Sequence, residues 1–130
     1  MKTNIKYNFG IVFLLLFVVT SCSEDSYSLG DLVAPSNIVI NAVVVGKDST
    51  NPDGDGSGKV NFTVTGDNIL GAKIDYDNLD PNDWVILPFS NKVTATYKTV
   101  GVNTYTVTVV ASGVGGTSTN VTQVVKVRVN

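Results

Sequence analysis

A period-two alternation of apolar and polar residues is the feature that most limits how this chain can fold. Val60, Phe62 and Val64 alternate with asparagine and threonine, and from Ser36 onward no segment shows the periodicity of a helix. Successive side chains of a strand point to opposite faces of a sheet, so this pattern predicts half-buried strands. Valine and threonine are abundant, which favours the same structure because branched side chains suit a pleated surface.

Six or seven such runs follow one another, separated by segments rich in Gly, Asn, Asp and Pro. They lie at residues 38–44, 60–65, 72–76, 84–89, 93–97, 105–109 and 121–129. Pro88 places the fourth run at a sheet edge or a strand end, because proline cannot donate a ladder hydrogen bond. Runs at this spacing are typical of hairpins and Greek keys. They predict an all-β fold, a single antiparallel Ig-like β-sandwich with one core.

The first 21 residues carry a different pattern, which is typical of a secretory signal. Lys2 and Lys6 precede an unbroken apolar run, Ile11–Val19. A transmembrane helix needs about 20 apolar residues, so this run is too short to span a bilayer. It predicts a signal peptide at residues 1–21.

The single cysteine of the chain, Cys22, directly follows this segment. The sequence Val19–Cys22 (VTSC) resembles a bacterial lipobox, which implies that Cys22 receives a lipid and becomes the N-terminus of the mature protein. The alternative is that Cys22 is incidental to an ordinary signal. With a lipid on Cys22, residues 22–34 form a tether to the membrane, and residues 35–130 form the folded domain.

An acidic segment, Ser23–Ser26, lies immediately behind the cysteine. It resembles the signal that sends lipoproteins of the Bacteroidota to the outer face of the outer membrane, and it is equally typical of a solvated linker. The first interpretation implies a lipid-anchored protein of the outer membrane that faces the cell exterior.

Composition excludes several classes of function. The chain has 9 Lys+Arg against 11 Asp+Glu, and it contains no histidine. The formal net charge of −2 argues against nucleic acid as a partner, because binding a phosphate backbone requires a clustered surplus of Lys and Arg. Without histidine the chain lacks the most frequent general base and metal ligand. One cysteine forms neither an internal disulfide nor a Cys-type zinc site. We therefore expect no catalysis.

Residues 93–109 (VTATYKTVGVNTYTVTV) resemble the closing hairpin of a PKD (polycystic kidney disease) domain. Tyr97 matches the end of the incoming strand, Gly101 the turn, and Tyr105–Val109 the outgoing strand. Upstream, Lys59–Phe62 resembles the Val-x-Phe strand of the family. The resemblance extends over nearly the whole mature chain, and it implies a PKD-like β-sandwich.

The chain departs from the PKD pattern between its third and fourth strands. The family usually carries an aromatic residue followed by Gly-Asp-Gly, whereas this chain has Asp75–Leu79 without glycine. Asn78 tolerates a positive φ and replaces the missing glycines in part. PKD-like modules of this kind resemble those attached to Bacteroidota surface lipoproteins and laminarinase-type glycoside hydrolases, where they act as spacers or accessory binding domains.

Asp53–Gly58 resembles the opening of a calcium loop, because it places carboxylates at alternate positions and a glycine at the sixth. An EF-hand loop ends in a bidentate glutamate at its twelfth position, where this chain has Val64. The alternative is a Gly- and Asp-rich turn between two strands. If Ca²⁺ binds, Asp53 and Asp55 are the expected ligands; no other cofactor is expected.

A second acidic cluster lies between the third and fourth runs. It consists of Asp75, Asp77, Asp80 and Asp83. A glycosidase needs two carboxylates about 5–9 Å apart across a bound sugar, but a compact sandwich offers little concavity for such a cleft. Two interpretations of this acidic cluster remain: a solvated loop, or a loop that binds a cation weakly.

Trp84 follows this loop and allows two interpretations. In the first, the only tryptophan of the chain is buried in the core of the sandwich. In the second, Tyr76 and Trp84 form a platform on which sugar rings stack, with Asp75 and Asp77 accepting hydrogen bonds from sugar hydroxyls.

One further motif, Asp48–Thr50, resembles the O-glycosylation acceptor of Bacteroidota and makes Ser49 a candidate for modification. Together these features predict a non-catalytic cell-surface lipoprotein module that interacts with a glycan or a surface protein and contacts the membrane through its lipid. The alternatives are a structural spacer, or the truncated N-terminal part of a larger surface glycan-binding protein or glycoside hydrolase.

Overall fold

The computed structural model describes residues 30–130, so the predicted signal peptide and the lipid on Cys22 lie outside the described residues. The segment Asp31–Asn130 forms one unit. It contains seven strands and a short 3-10 helix at Val114–Gly116. The strands are β1 (Ser36–Val44), β2 (Lys59–Asp67), β3 (Gly71–Asp75), β4 (Val85–Ile86), β5 (Lys92–Thr96), β6 (Gly101–Ser112) and β7 (Ser118–Val129). Within the described part of the chain, no helix is long and apolar enough to cross a membrane.

The strands form two antiparallel sheets. One sheet has three strands in the order β1-β2-β5, and the other has four in the order β4-β3-β6-β7. Strands β1 and β7 also contact each other across the sandwich. The predicted all-β antiparallel sandwich is therefore confirmed.

The core lies between the sheets and follows the alternation of the sequence. On β2, Val60, Phe62 and Val64 are all buried, whereas Asn61 is exposed. The same parity rule holds on the other long strands. The apolar residues buried on β1, β3, β6 and β7 are Ile40, Val44, Ala72, Ile74, Val107, Val109, Ala111, Val125 and Val127. On these strands the buried residue of the opposite parity is Asp75. Because burial of a large apolar side chain contributes about 1.5–3 kcal/mol, these positions dominate the stability of the sandwich.

Strand lengths differ from the predicted runs. The fourth run, predicted at residues 84–89, forms a strand only at Val85–Ile86. The N–H of Leu87 still donates to the carbonyl of Ala72 at 2.9 Å, and the chain leaves the sheet after this residue. Pro88 comes next and has no N–H to continue the ladder. Strands β6 and β7 are longer than predicted, because they pair with each other from Gly101↔Val129 to Ser112↔Ser118.

The resemblance to a PKD domain implied a hairpin between β5 and β6. The structure has no hairpin at this connection. Strand β5 pairs with β2 in one sheet and β6 pairs with β3 and β7 in the other, so the chain crosses between sheets. Gly101 begins β6 with φ 103°, in the region that favours glycine. This crossing brings Tyr97, just after β5, close to the end of β3.

The sandwich has two ends, which we name the proximal and distal ends. The proximal end is where the chain enters β1, beside the end of β2 and the β6–β7 turn: Thr119 donates its hydroxyl to the carbonyl of Pro35 at 2.6 Å, and the side chain of Leu32 lies against Gly115. The distal end carries the loops at 45–58, 76–84 and 97–100. The last residues of the predicted tether are thus packed on the domain.

Candidate functional site

A polar groove of about 400 Å³ opens at the distal end, between the end of β5 and the loop that follows β3. Asp77 and Asp83 supply its carboxylates, and Lys98 supplies an ammonium group. Its volume falls within the range of about 300–1,000 Å³ that is typical of ligand pockets. We call this feature the distal groove.

Asp75 and Asn78 shape the turn after β3 that carries Asp77, a residue of the distal groove. The Asp75 side chain is only 2% exposed, and its Oδ1 accepts hydrogen bonds from the N–H groups of Asp77 (3.1 Å) and Asn78 (2.9 Å). Asn78 has φ 55°, so the prediction that it replaces a glycine at this turn is confirmed. Asp75 therefore closes the turn from inside. The prediction placed this carboxylate on the ligand platform, whereas the structure buries it and does not place it in the lining of the distal groove.

Similar side-chain hydrogen bonds hold the rest of this loop. Asp77 Oδ1 accepts from the N–H of Leu79 at 3.0 Å, and Asp80 Oδ1 accepts from the N–H of Asn82 at 2.9 Å. Each bond turns the backbone locally without glycine. The result is that Asp77 and Asp83 both line the distal groove, while Asp80 does not.

Three tyrosines form the floor of the distal groove. The Tyr97 hydroxyl donates to the carbonyl of Tyr76 at 2.8 Å, and the rings of Tyr97 and Tyr105 stack with centroids 4.0 Å apart. The ring of Tyr76 packs on Phe62 with centroids 5.7 Å apart, which ties the groove to the core. These contacts fix the positions of all three rings.

Burial favours the protonated form of two of these phenols, those of Tyr76 and Tyr97. It raises the pKa of Tyr97 above the ordinary value, and the negative charge of Asp77 adds to the shift. It also raises the pKa of Tyr76, with a further contribution from Asp83. The hydroxyl oxygen of Tyr105 is buried and has no hydrogen-bond partner among the described residues. Tyr105 lines the groove, but its hydroxyl oxygen is not exposed there.

Hydroxyl groups of β5 and the following turn line the side opposite the acidic loop. Thr94, Thr96 and Thr99 are all exposed there, and the Thr94 hydroxyl donates to Asn61 Oδ1 at 2.7 Å. Neutral hydroxyls, two carboxylates and one ammonium thus face one opening. Such a set suits a polyhydroxylated ligand, because each sugar hydroxyl both donates and accepts hydrogen bonds.

Trp84 directly precedes β4. It is partly buried but lies outside the described core, and it does not line the distal groove. Its indole N–H donates to the carbonyl of Pro81 at 3.1 Å, and Lys73 Nζ lies 4.4 Å from the ring centroid. Of the four residues predicted to form a platform, the structure therefore brings only Tyr76 and Asp77 together in the groove.

Asp53 and Asp55 each have a different partner in the structure. Asp53 Oδ2 lies 3.5 Å from Lys126 Nζ, and Asp55 Oδ1 accepts from the N–H of Ser57 at 2.9 Å. The Ser57 hydroxyl and N–H lower the pKa of Asp55. Across residues 30–130, no group of three or more His, Cys, Asp or Glu side chains is placed to hold a metal ion. The segment is a turn that packs on β7, through the bond from Arg128 N to the carbonyl of Asp53 at 2.8 Å.

Ser49 lies exposed in the loop between β1 and β2. Beside it, Asp48 Oδ1 accepts from the N–H groups of Thr50 (2.8 Å) and Asn51 (2.7 Å). These hydrogen bonds lower the pKa of Asp48, and the bond from the N–H of Asn51 has the larger effect. Glycosylation at Ser49 stays a prediction.

Sequence reasoning missed Tyr97, Tyr105 and the threonines of β5 as groove residues. The sequence pattern indicated only that Tyr97 and Tyr105 are inward positions of strands. They come to lie beside Tyr76 because the chain crosses from one sheet to the other between β5 and β6. The sequence contained one signal for a ligand site in this region, which was the position of Asp83 next to the aromatic residue Trp84.

Neither a scan of protein-family models nor searches of curated proteins and of solved structures found a match to this chain.

Proposed function

We propose that this protein is a non-catalytic, lipid-anchored surface module with a PKD-like sandwich, and that its distal groove binds a glycan. The observation that carries the proposal is the groove itself, in which Asp77, Asp83 and Lys98 surround tyrosine rings and exposed threonine hydroxyls. Hydrogen bonds to charged groups contribute about 1.5–3 kcal/mol each, so these three side chains are the main source of affinity.

The sequence supports the remaining parts of the proposal. The lipobox-like segment ahead of Cys22 supports the lipid anchor, and the Tyr-Thr-Val-Thr strand at Tyr105–Thr108 supports the PKD-like assignment. The lack of histidine supports binding without catalysis.

Binding is tested with the 22–130 fragment carrying Cys22→Ala, which contains the whole unit Asp31–Asn130. Affinity electrophoresis and titration calorimetry against a panel of algal and plant polysaccharides measure retention and affinity. We expect Asp83→Asn to weaken binding about tenfold, the equivalent of about 1.4 kcal/mol, and Tyr105→Phe to weaken it less. The matched control is Asp31→Asn, an exposed acidic residue at the proximal end.

Two results contradict the proposal. Retention by no polysaccharide leaves the spacer as the better description, and equal affinities for Asp83→Asn and Asp31→Asn place the site elsewhere. Release of reducing ends from a bound polysaccharide, abolished in Asp77→Asn or Asp83→Asn, would instead show catalysis.

The anchor is tested separately. Cells that express the full chain take up radioactive palmitate into the protein, and the Cys22→Ala chain takes up none. Equal labelling of both chains would refute lipidation at Cys22.

A further inference from the structure

The two ends of the sandwich differ in charge. Among residues 30–130, the charged residues at or near the proximal end are Asp31, Asp67, Lys92 and Lys73, the last of which pairs with Ile86 in the β3–β4 ladder. The distal end carries most of the remaining charged side chains, in the loops between β1 and β2 and between β3 and β4 and at the end of β7. The free-energy cost of removing a surface from contact with water is lowest where the surface carries few charges.

The proximal end instead exposes large apolar side chains. Ile86 is 82% exposed, Leu70 is 67% exposed, and Phe89 is fully exposed. Leu32 and Val114 are exposed beside the β6–β7 turn at the same end. We call these five residues the proximal apolar surface. Phe89, Ile86 and Leu70 also line an apolar groove of about 350 Å³ that contains no charged side chain.

The chain also enters the domain at this end. The carbonyl of Pro35 is held by the Thr119 hydroxyl, and Pro35 follows Cys22 by 13 residues. A chain segment of that length spans at most about 45 Å when it is fully extended, at about 3.3–3.6 Å per residue. A lipid on Cys22 would therefore keep the proximal end close to the bilayer, at an effective concentration on the order of millimolar.

We propose that the proximal apolar surface rests on the lipid bilayer that holds the anchor, with Phe89, Ile86 and Leu70 inserted at the level of the headgroups. This proposal rests on the lipid anchor at Cys22 proposed above. Apolar side chains presented at an interface bind it through buried apolar area, and the anchor makes the contact intramolecular, so a small surface suffices. The docked domain then points its distal groove away from the membrane.

The experiment places a tryptophan on each end of the anchored protein. The mature chain, from Cys22 onward, is coupled through the Cys22 thiol to a maleimide lipid in vesicles of phosphatidylcholine and phosphatidylethanolamine. In a Trp84→Phe background, Phe89→Trp reports on the proximal end. Leu79→Trp is the matched control, because Leu79 is 81% exposed but lies in the acidic distal loop.

Lipids with a spin label on the acyl chain quench a tryptophan that enters the bilayer. We expect at least twofold quenching and a blue shift of emission for Phe89→Trp, and neither for Leu79→Trp. Adding Ile86→Glu to the Phe89→Trp chain should abolish most of the quenching, since it places a charge in the contact.

Two outcomes overturn the proposal. One is equal quenching of the two reporters, or none. The other is a blue shift at Phe89→Trp that rises with protein density and is insensitive to the spin-labelled lipid, because a second copy of the chain then covers this surface. Chemical coupling replaces cellular lipidation, so docking can fail while palmitate labelling and polysaccharide binding succeed.

Discussion

At the scale of single residues, Asp75 shows how burial decides the role of a charged side chain. The sequence places it in an acidic loop beside Tyr76, in a position that equally suits a ligand contact. In the structure its carboxylate is buried and satisfies the N–H groups of Asp77 and Asn78. Its neighbour Asp77 faces the groove instead.

Removing the Asp75 carboxylate should destabilise the domain. We expect Asp75→Ala to lower the free energy of unfolding by about 1–3 kcal/mol, because two N–H groups lose their acceptor inside the protein. Asp75→Asn retains an acceptor oxygen and should lose less. Urea denaturation followed by circular dichroism measures both. The control is Asp80→Ala, an exposed residue of the same loop, with a loss within about 0.5 kcal/mol. Equal losses at both positions would refute the structural role of Asp75.

The raised pKa values of Tyr76 and Tyr97 predict a loss of stability in alkali. A phenol whose pKa is higher in the folded state stabilises the fold fully below its unfolded pKa of about 10, and this contribution is lost as the pH rises above that value. The urea midpoint should therefore fall more steeply above about pH 10 for the natural chain than for Tyr97→Phe. Tyr27→Phe, at a position of the mature chain outside the described residues, controls for general alkaline effects. Parallel curves for all three chains would contradict the prediction.

At the scale of elements, alternation predicted which side of each strand is buried but not where each strand ends. Strand β2 has the buried and exposed positions that its sequence predicts. Strand β4 has only two residues. It ends before Leu87, whose N–H donates to the carbonyl of Ala72 on β3, and Pro88 follows. Strand ends depend on partners, because a residue joins a ladder only where a neighbouring strand faces it.

Truncation of Phe62 tests the importance of the buried face of β2. Phe62 is 1% exposed and also supports the ring of Tyr76. Phe62→Ala should cost about 3–5 kcal/mol of unfolding free energy and should weaken glycan binding where the chain still folds. Thr65→Ala, an exposed position on the same strand, should change stability by no more than about 0.5 kcal/mol. Calorimetric unfolding compares the two, and similar melting temperatures would contradict the expected packing.

At the scale of the whole molecule, the sandwich separates two surfaces of opposite character. The apolar proximal surface lies where Pro35 enters, and the polar distal groove lies at the other end, beside Asp77 and Asp83. The separation follows from the strand order, because β3 begins at one end and ends at the other. On the proposals made above, one surface faces lipid and the other faces a glycan.

This separation predicts that anchoring leaves the groove accessible. Protein coupled to vesicles through Cys22 should bind polysaccharide with the same affinity as the free 22–130 fragment, within about twofold, the equivalent of about 0.4 kcal/mol. Co-sedimentation of vesicles with a fluorescent polysaccharide measures the coupled form, and vesicles that carry the Asp83→Asn chain serve as the control. A loss of binding on coupling would show that the groove faces the bilayer.

The sequence alone determined the fold class, the inward residues of each strand and the positive φ of Asn78, because alternation and turn chemistry are local properties of the chain. Three arrangements come from the tertiary structure: Tyr76, Tyr97 and Tyr105 meet at one groove, Asp75 is buried, and Trp84 packs with Lys73 outside the core. These arrangements depend on which strands cross between the sheets, and that choice is made by packing over long separations in sequence.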